Sequence, residues 1–320
     1  MTSASPAASV VVPSRGGVRR LPILLGGLHR QERDDFEVII VLDGDIDRSR
    51  IAVERFIAAF GDRLRIVEFP ENRGRVAALN AGFAEARGHV LIRCDDDLEP
   101  APEFVDAHVE THQQNANAGV VGLYRNRFSD TRYARVYGRP RDVRFREEAY
   151  TRPVGESWVY WAGNSSVTRA TYDRVGEYDA DYSAYGWEDI DYGFRLRQAG
   201  VRVILAPAAE TTHNAAAVTT RVRMKRAYYS GAARRLFDEK HPTALNGQAV
   251  EETRSSTLWE QLVALESTVL STGTVEKAGA AIDCVIPFLP RYIAEKLVAS
   301  GVEAASLAGQ QTEQNLKRTF

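Results

Sequence analysis

Three adjacent acids, Asp95, Asp96 and Asp97, directly follow an apolar run that is typical of a short buried strand. Neighbouring carboxylates repel one another, so a folded chain holds them together only with water or a cation close by. In extended backbone Asp95 and Asp97 project to one side, whereas Asp96 points away. Carboxylate oxygens suit a divalent cation, and the plain alternative is an acidic turn before the next helix.

A second pair of acids, Glu188 and Asp189, opens a helix that the sequence predicts over 187–199. The helix dipole stabilises carboxylates in a first turn, so a purely structural role is open to both. Gly186 and Trp187 in front of them indicate a gap and an aromatic wall, as a sugar-sized pocket needs. His213, expected on a loop, could be a third metal ligand beside two carboxylates.

Alternating strand and helix patterns position these groups. Strands are predicted over 9–13, 36–42, 64–69, 90–92, 118–124 and 201–206, with strand character at 158–166. Helices are predicted over about 18–31, 48–60, 102–114 and 187–199, with another opening at Asn72. This order predicts an α/β fold with a mostly parallel sheet and helices on both faces. Asp43, after the second strand, then shares a sheet rim with the triplet, where nucleotides bind.

Two further segments carry weaker signals. Residues 125–153 are rich in arginine and poor in apolar runs, so we expect a long excursion or flexible loop over the site. His108 and His112 are four residues apart on a predicted helix, but no third ligand is near in sequence. We expect both histidines at the surface or half-buried.

The chain changes character after residue 219, where a basic helical run begins. The apolar stripe Leu258, Leu262, Leu265 and Val269 indicates an amphipathic helix that packs on the core or on a second subunit. The predicted division is a disordered tail over 1–8, a catalytic domain over 9–237, a linker over 238–256 and a helical extension over 257–320. A homodimer through the extension is one expected arrangement.

Composition narrows the functional classes. The 320 residues carry a net charge of −2, which gives no reason to expect nucleic acid as a partner. Two distant cysteines and no long apolar run favour a cytoplasmic protein without a transmembrane helix. Only five lysines occur, and none precedes Lys225. Phosphate contacts in the acidic part therefore need arginine, backbone amides or a metal.

Taken in order, these segments resemble the family 2 glycosyltransferases of the GT-A fold over about residues 9–215. The segments that carry the resemblance are Val10–Ser14, Asp43–Gly44, Glu71–Gly74, Asp95–Asp97, Gly163–Ser165 and Gly186–Asp189. The last is also similar to a carboxyl-terminal module of galactosyl- and N-acetylgalactosaminyltransferases. Arg93 and Cys94 depart from the pattern, because apolar residues usually precede the Asp-x-Asp motif.

The resemblance implies inverting, metal-dependent transfer of a sugar from a nucleotide-diphospho-sugar, with a UDP-sugar favoured, to an unknown hydroxyl acceptor. It implies that Asp189 is the general base and that Trp187 and Glu188 bind the acceptor. The ligands that it implies for Mn²⁺ or Mg²⁺ are Asp97, Asp95 and His213. The residues that it implies for the nucleotide sugar are Pro13, Ser14, Arg15, Asp43, Asn72, Arg73, Asp95, Asp96, Gly163 and Asn164.

Three other functions compete with this interpretation. A retaining GT-A transferase would share the triplet and the histidine, but the segment Gly186–Asp189 fits inverting members better. A sugar-nucleotide pyrophosphorylase would explain a faint likeness in the loop Ser14–Leu21, but such enzymes usually place lysines on the phosphates. A non-catalytic scaffold would have no need to keep the acids and His213 together.

Overall fold

A computed structural model describes residues 5–182, 186–245 and 257–312. The chain divides into two compact units. The first unit comprises Met1–Arg127, Arg146–Asp181 and Glu188–Ala215, and the second comprises Phe128–Phe145, Tyr182–Trp187 and Ala216–Phe320. The second unit thus takes in segments that the sequence division places in the catalytic domain. Residues 246–256 of the predicted linker lie outside the described residues.

A seven-stranded sheet forms the centre of the first unit. The strands of the described residues are β1 (Ala8–Ser14), β2 (Phe36–Asp43), β3 (Leu64–Phe69), β4 (Val90–Cys94), β5 (Leu98–Glu99), β6 (Ala118–Val121), β7 (Tyr124–Asn126), β8 (Asn164–Thr168), β9 (Arg202–Leu205) and β10 (Thr211–His213). The large sheet has the order β3-β2-β1-β4-β8-β6-β9, and only β8 runs antiparallel to its neighbours. A smaller sheet has the order β5-β10-β7.

Helices cover both faces of the large sheet. The α-helices in the described part of the chain are α1 (Leu21–His29), α2 (Ser49–Glu54), α3 (Ile57–Phe60), α4 (Arg75–Glu85), α5 (Phe104–Gln114), α6 (Arg139–Thr151), α7 (Arg169–Val175), α8 (Glu188–Gln198), α9 (Thr220–Lys240), α10 (Thr257–Ser267), α11 (Val275–Val285) and α12 (Arg291–Gln311). On one face, α1 and α5 pack with alternate residues of β1 and β2, such as Val10 and Ile40. On the other, Gly82 of α4 lies so close to Val11 that a side chain there would overlap it. The predicted mostly parallel sheet with helices on both faces is confirmed.

Three local predictions are wrong. The segment 125–153 is not a loop, because a π-helical turn at Ala134–Gly138 leads directly into α6. The predicted strand at 158–166 begins as a 3-10 helix over Val154–Tyr160, and β8 starts only at Asn164. His213 lies in β10 and not on a loop, because β10 pairs with both β5 and β7.

The second unit is helical. Two glycines let α9 and α12 approach closely, because a side chain at Gly231 or Gly309 would overlap the backbone of the facing helix. The predicted burial of the apolar stripe is wrong within this chain: Leu258 in α10 is 74% exposed, and Val269, just after α10, is 71% exposed. A second subunit as its cover stays a prediction. Among the described residues, no helix is long and apolar enough to span a membrane.

Candidate active site

The carboxyl ends of β1, β2 and β4 meet at one rim of the sheet. Ser14 ends β1 and pairs in register with Leu42 of β2, and Val11 of β1 pairs with Arg93 of β4. Parallel strands in this register bring the loops that follow them together. The rim therefore gathers residues that are far apart in sequence, as the strand pattern predicts.

Asp96 turns into the fold. Its carboxylate accepts a hydrogen bond from Ser14 Oγ at 2.5 Å. It also accepts from Arg20, with Nε at 3.0 Å and Nη2 at 2.9 Å. Burial raises the pKa of Asp96, and the contacts with Arg20 and Ser14 oppose that rise. Both oxygens of Asp96 are thus hydrogen-bonded within the chain. Of two neighbouring residues that are predicted to bind the nucleotide sugar, Arg15 is exposed and Pro13 is buried in β1.

Asp43 has a comparable internal role on the neighbouring strand. Its oxygens accept from the backbone amides of Arg73 at 2.6 Å and Gly74 at 2.9 Å. The Asn72 side chain also accepts from Gly74 N, at 3.1 Å. These bonds fix the loop before α4. Gly74 has a φ of 91°, a left-handed value that a residue with a side chain adopts only with strain.

Asp97 and His213 form the pair of side chains that best fits a divalent cation. His213 Nε2 lies 3.3 Å from Asp97 Oδ2. The other ring nitrogen, Nδ1, lies 2.6 Å from Asn126 Oδ1. An amide oxygen can only accept, so Nδ1 carries a proton, and Nε2 is the ring nitrogen that faces Asp97. A carboxylate and an oriented imidazole fit Mn²⁺ or Mg²⁺ as two of its ligands.

The third predicted metal ligand, Asp95, faces another partner. Arg93 Nε lies 2.9 Å from Asp95 Oδ1, and Arg93 Nη2 lies 3.3 Å from Oδ2. Gly163 packs against this carboxylate so tightly that any side chain at 163 would overlap it. No cluster of three His, Cys, Asp or Glu side chains at metal-binding distance occurs in the part of the chain that is described. A cation at Asp97 and His213 would therefore take its remaining ligands from water or a bound phosphate.

Asp189 and Glu188 begin α8 beside the same arginine. Arg93 Nη1 donates to Asp189 Oδ1. Burial raises the pKa of Asp189 to about 7, although the charges of Arg93 and Arg75 oppose the rise. Glu188 is only 2% exposed, and its Oε1 lies 3.4 Å from Arg75 Nη1. Its other oxygen, Oε2, is buried without a hydrogen-bond partner among the described residues. Such an atom favours a bound donor, for example a hydroxyl.

Tyr124 connects the two groups of acids. Its ring stacks on the His213 ring with centroids 4.9 Å apart. Burial raises the pKa of Tyr124 well above its usual value, and the charges of Asp95, Asp97 and Asp189 add to the rise. Tyr124 thus lies in the electrostatic field of acids from both groups. Sequence reasoning missed Tyr124, because nothing in its local pattern separates it from an ordinary strand residue.

Asn164 lies beneath the rim and is fully buried. Its Nδ2 donates to the Ala209 carbonyl at 2.7 Å, and its Oδ1 lies 2.9 Å from His108 Nε2. His108 and His112 are buried as well and both contact Ser166 Oγ, so the expectation that they are surface or half-buried side chains is wrong. Burial lowers the pKa of His108 to about 3 and that of His112 to about 4.

Trp187 belongs to the second unit, where its indole nitrogen donates to Ser230 Oγ at 3.0 Å. Its φ of 68° is an uncommon value for a residue with a bulky side chain. Of the residues that the sequence singles out, the first unit thus gathers Asp95, Asp97, Glu188, Asp189 and His213. Arg93 and Arg75 contact these acids as well. Of the two, only Arg93 could be noticed in the sequence, because apolar residues usually precede the Asp-x-Asp motif.

Sequence comparisons identify relatives of the chain. A family profile described as glycosyl transferase family 2 matches residues 9–176, and one described as the N-terminal domain of galactosyltransferase matches residues 144–220. Validoxylamine A glucosyltransferase from Streptomyces hygroscopicus subsp. jinggangensis is 28% identical over 76% of this chain and 63% of its own length. The uncharacterized glycosyltransferase YfnE from Bacillus subtilis is 28% identical over 61% of each chain. This chain thus spans about 60% of the length of these relatives.

Solved structures share the fold. The mannosyltransferase PcManGT from Pyrobaculum calidifontis, in complex with GDP-Man and Mn²⁺, aligns with 96% of this chain and 88% of its own. The TM-score is 0.64 and the identity is 21%. Residues 1–349 of S. aureus TarS align with 95% of this chain and 90% of their own, with a TM-score of 0.56 and 14% identity.

Proposed function

Because this chain belongs to glycosyl transferase family 2, has the GT-A fold and is a glycosyltransferase, we propose that it transfers a sugar from a nucleotide-diphospho-sugar to an acceptor hydroxyl with inversion at the anomeric carbon. The observation that carries the proposal is that Asp97 and His213 lie 3.3 Å apart at the rim where Arg93 joins Asp95 to Asp189. A metal-binding pair and a candidate base at one rim are the groups that such a displacement needs.

Asp189 is the general base of the proposed reaction. The acceptor hydroxyl attacks the anomeric carbon, and the bond from that carbon to the diphosphate oxygen breaks. Asp189 takes the hydroxyl proton, which requires its ionised form within about 2.6–3.2 Å of the hydroxyl. Its raised pKa makes it a stronger base than an ordinary carboxylate, while Arg93 favours the ionised form. A single displacement by one base inverts the anomeric centre.

Glu188 binds the acceptor in this proposal. A second acceptor hydroxyl can donate to Oε2, the buried oxygen that has no partner among the described residues. Because Glu188 and Asp189 are adjacent on α8, their side chains point about 100° apart around the helix. They therefore cannot perform the same task. Trp187 is the proposed apolar contact for the acceptor sugar or aglycone.

Asp97 and His213 would hold Mn²⁺ or Mg²⁺ in the proposed donor complex. A bound divalent cation there would neutralise charge on the departing diphosphate. The mannosyltransferase neighbour, solved with GDP-Man and Mn²⁺, supports both the donor class and the metal. Asp95 and Gly163 would bind the sugar side of the donor. Asp43 and Asp96 would shape its pocket by holding the loops in place, with Asn164 as support beneath.

A thermal-shift screen tests the proposed donor. The full chain is mixed with UDP- and GDP-sugars, each with Mn²⁺ and with EDTA. A ligand that binds only the folded state raises the melting temperature by mass action, by an amount that grows with concentration. We expect at least one nucleotide sugar to raise it with Mn²⁺ and not with EDTA. A screen in which free nucleotides and nucleotide sugars all leave it unchanged would contradict the proposal.

The product tests the stereochemistry. The donor found in the screen is incubated with acceptors that carry hydroxyls, beginning with validoxylamine A, because the name of one relative contains it. The anomeric configuration of the product is read from the proton coupling constant of its anomeric centre. Inversion is expected. Retention of configuration would favour the retaining alternative. Full activity in EDTA would contradict the proposed metal dependence.

A further inference from the structure

We propose that Arg93 is a positioning residue for the catalytic step: its guanidinium holds Asp189 in place for proton transfer. The inference rests on the proposed function and adds a role for a residue outside the resemblance to family 2. Arg93 lies on β4, two residues before the acid triplet, where an apolar side chain is the usual choice.

The burial of Arg93 is the first support. Its side chain is only 1% exposed. A buried guanidinium is costly unless its donors are paired, so Arg93 depends on its acidic partners. One edge of the guanidinium, with Nε and Nη2, faces Asp95, and Nη1 donates to Asp189. A single planar group thus fixes the spacing between a donor-side acid and the candidate base. Lysine could not reproduce this, because it presents one point charge.

An aromatic wall keeps Arg93 in this position. Its guanidinium lies 5.7 Å from the centre of the Tyr178 ring. Tyr178 stacks on Tyr192 with centroids 4.3 Å apart, and Trp161 Nε1 donates to the Tyr178 hydroxyl at 2.9 Å. These rings are buried and bonded to one another, so they leave Arg93 little freedom. The guanidinium therefore packs against the Tyr178 ring while its donors face Asp95 and Asp189.

Electrostatics gives Arg93 a second effect in the same direction. A carboxylate in a buried site is unstable as an anion, and Glu188 beside Asp189 adds like-charge repulsion. The positive charge of Arg93 opposes both effects for Asp189 and favours its ionised form. Arg75 contributes less directly, because it contacts Glu188 at 3.4 Å and lies 3.9 Å from Asp95. Arg93 is thus the cation that contacts the candidate base.

The main test compares Arg93→Met, Arg93→Lys and Asp189→Asn with their double variants. Methionine keeps an unbranched apolar stem and removes the charge and the donors. We expect Arg93→Met to lower kcat by about 10–100-fold with a nearly unchanged donor KM, because small displacements of a catalytic group cost up to about that factor. Arg93→Lys should recover part of the loss. If Arg93 acts through Asp189, adding Arg93→Met to Asp189→Asn should lower kcat by no more than about twofold further.

A matched control lies on α8. Arg195 pairs with the buried Asp191 at 2.8 Å, and it makes no contact with Glu188 or Asp189 that the described residues show. Arg195→Met removes an ion pair of similar type and should lower stability with little change in kcat. Circular dichroism and thermal unfolding check that each variant folds. If Arg93→Met does not fold, Arg93→Lys and its double variant with Asp189→Asn carry the same comparison.

Three kinetic outcomes would overturn the inference. Arg93→Met could keep the wild-type kcat, it could raise only the donor KM and so act through Asp95, or its effect could multiply with that of Asp189→Asn. Urea unfolding of the same variants adds a readout that needs no transfer assay. A double-mutant cycle with no coupling between positions 93 and 189 would also contradict the contact. If the wild-type chain transfers no sugar, the proposed function is contradicted. The double-mutant cycle from urea unfolding then still tests the contact between Arg93 and Asp189.

Discussion

Two pairs of acids at the same rim have opposite relations to their surroundings. The carboxylates of Asp43 and Asp96, on the β1–β2 side, accept hydrogen bonds from within the chain. The donors are backbone amides, Ser14 and Arg20. Glu188 and Asp189, on the α8 side, have a buried oxygen without a described partner and a carboxyl with a raised pKa. We call the first pair the anchoring acids and the second pair the reactive acids.

The difference shows that acids at one rim can have two different roles. An anchoring acid has its charge met by fixed donors and shapes a loop. A reactive acid is buried with an oxygen that has no described partner, as in Glu188, or with a raised pKa, as in Asp189. Both features cost stability and are usual at functional sites. The comparison predicts large kinetic effects on the α8 side and mainly structural effects on the β1–β2 side.

Asp189→Asn should give the largest effect. Asparagine keeps the size and accepts a hydrogen bond, but it cannot take a proton. Transfer should fall by about 10²–10⁴-fold, the usual contribution of a positioned base, with donor affinity nearly unchanged. Steady-state rates and donor titrations measure the two quantities. Glu188→Gln is the control and should mainly raise the acceptor KM. Wild-type turnover by Asp189→Asn would remove the distinction between the two pairs.

Asp97→Ala tests the third kind of acid at the rim, one that would meet its charge on a cation. Nucleotide-sugar binding with Mn²⁺ should weaken by at least about 10–100-fold, the range for loss of even an outer partner of a metal site. Calorimetric titration of the donor with Mn²⁺ gives the affinity. The unfolding midpoint without ligand should stay close to that of the wild type. Unchanged donor affinity would contradict the role of Asp97.

The pH dependence of transfer sharpens the assignment of Asp189. A base must be ionised, so its pKa of about 7 predicts a rate that falls below about pH 7. The fall should approach tenfold per pH unit, because the ionised fraction does. Rates at low acceptor concentration between pH 5 and 9 measure this fall in rate, and the residual activity of Asp189→Asn should not show it. A fall in rate only near pH 4 would indicate an ordinary exposed carboxyl.

The sequence predicted well what depends on continuous patterns. The strand predicted over 64–69 is β3, because Ile66, Val67 and Phe69 are residue types that favour strands. The helix α6 was missed, because its arginines and glutamates form helices readily but leave no apolar stripe to detect: only Ala149 is buried. The strand β10 was missed because three residues carry no period, and its conformation depends on pairing with β5 and β7.

The site followed the same rule. The rim location of Asp43 and the acid triplet follows from the strand ends, and this could be predicted. The partners of those acids could not be, because the contact between Arg93 and Asp189 joins residues 96 positions apart. Whether an acid is anchoring or reactive depends on such partners. The alternation of a strand does separate Asp96 from Asp95 and Asp97, but it does not tell what Asp96 contacts.

Asp96→Asn should give the smallest kinetic effect and is the sharpest test of an anchoring acid. The change removes the negative charge that Arg20 contacts through two nitrogens, and it weakens the bond to Ser14. Arg20 is 38% exposed, so water replaces part of the loss. We expect the free energy of unfolding to fall by about 1–2 kcal/mol, as for the loss of a buried charge-assisted hydrogen bond. Donor affinity should change by less than about threefold, since an effect on the loop alone is indirect. Urea unfolding measures the stability, and donor titration measures the affinity.

Ser14→Ala removes a donor from the same carboxylate and should also destabilise the fold without a selective loss of donor binding. If Asp96→Asn keeps full stability and loses donor binding, Asp96 contacts the nucleotide sugar as the family resemblance implies, and the division between anchoring and reactive acids fails.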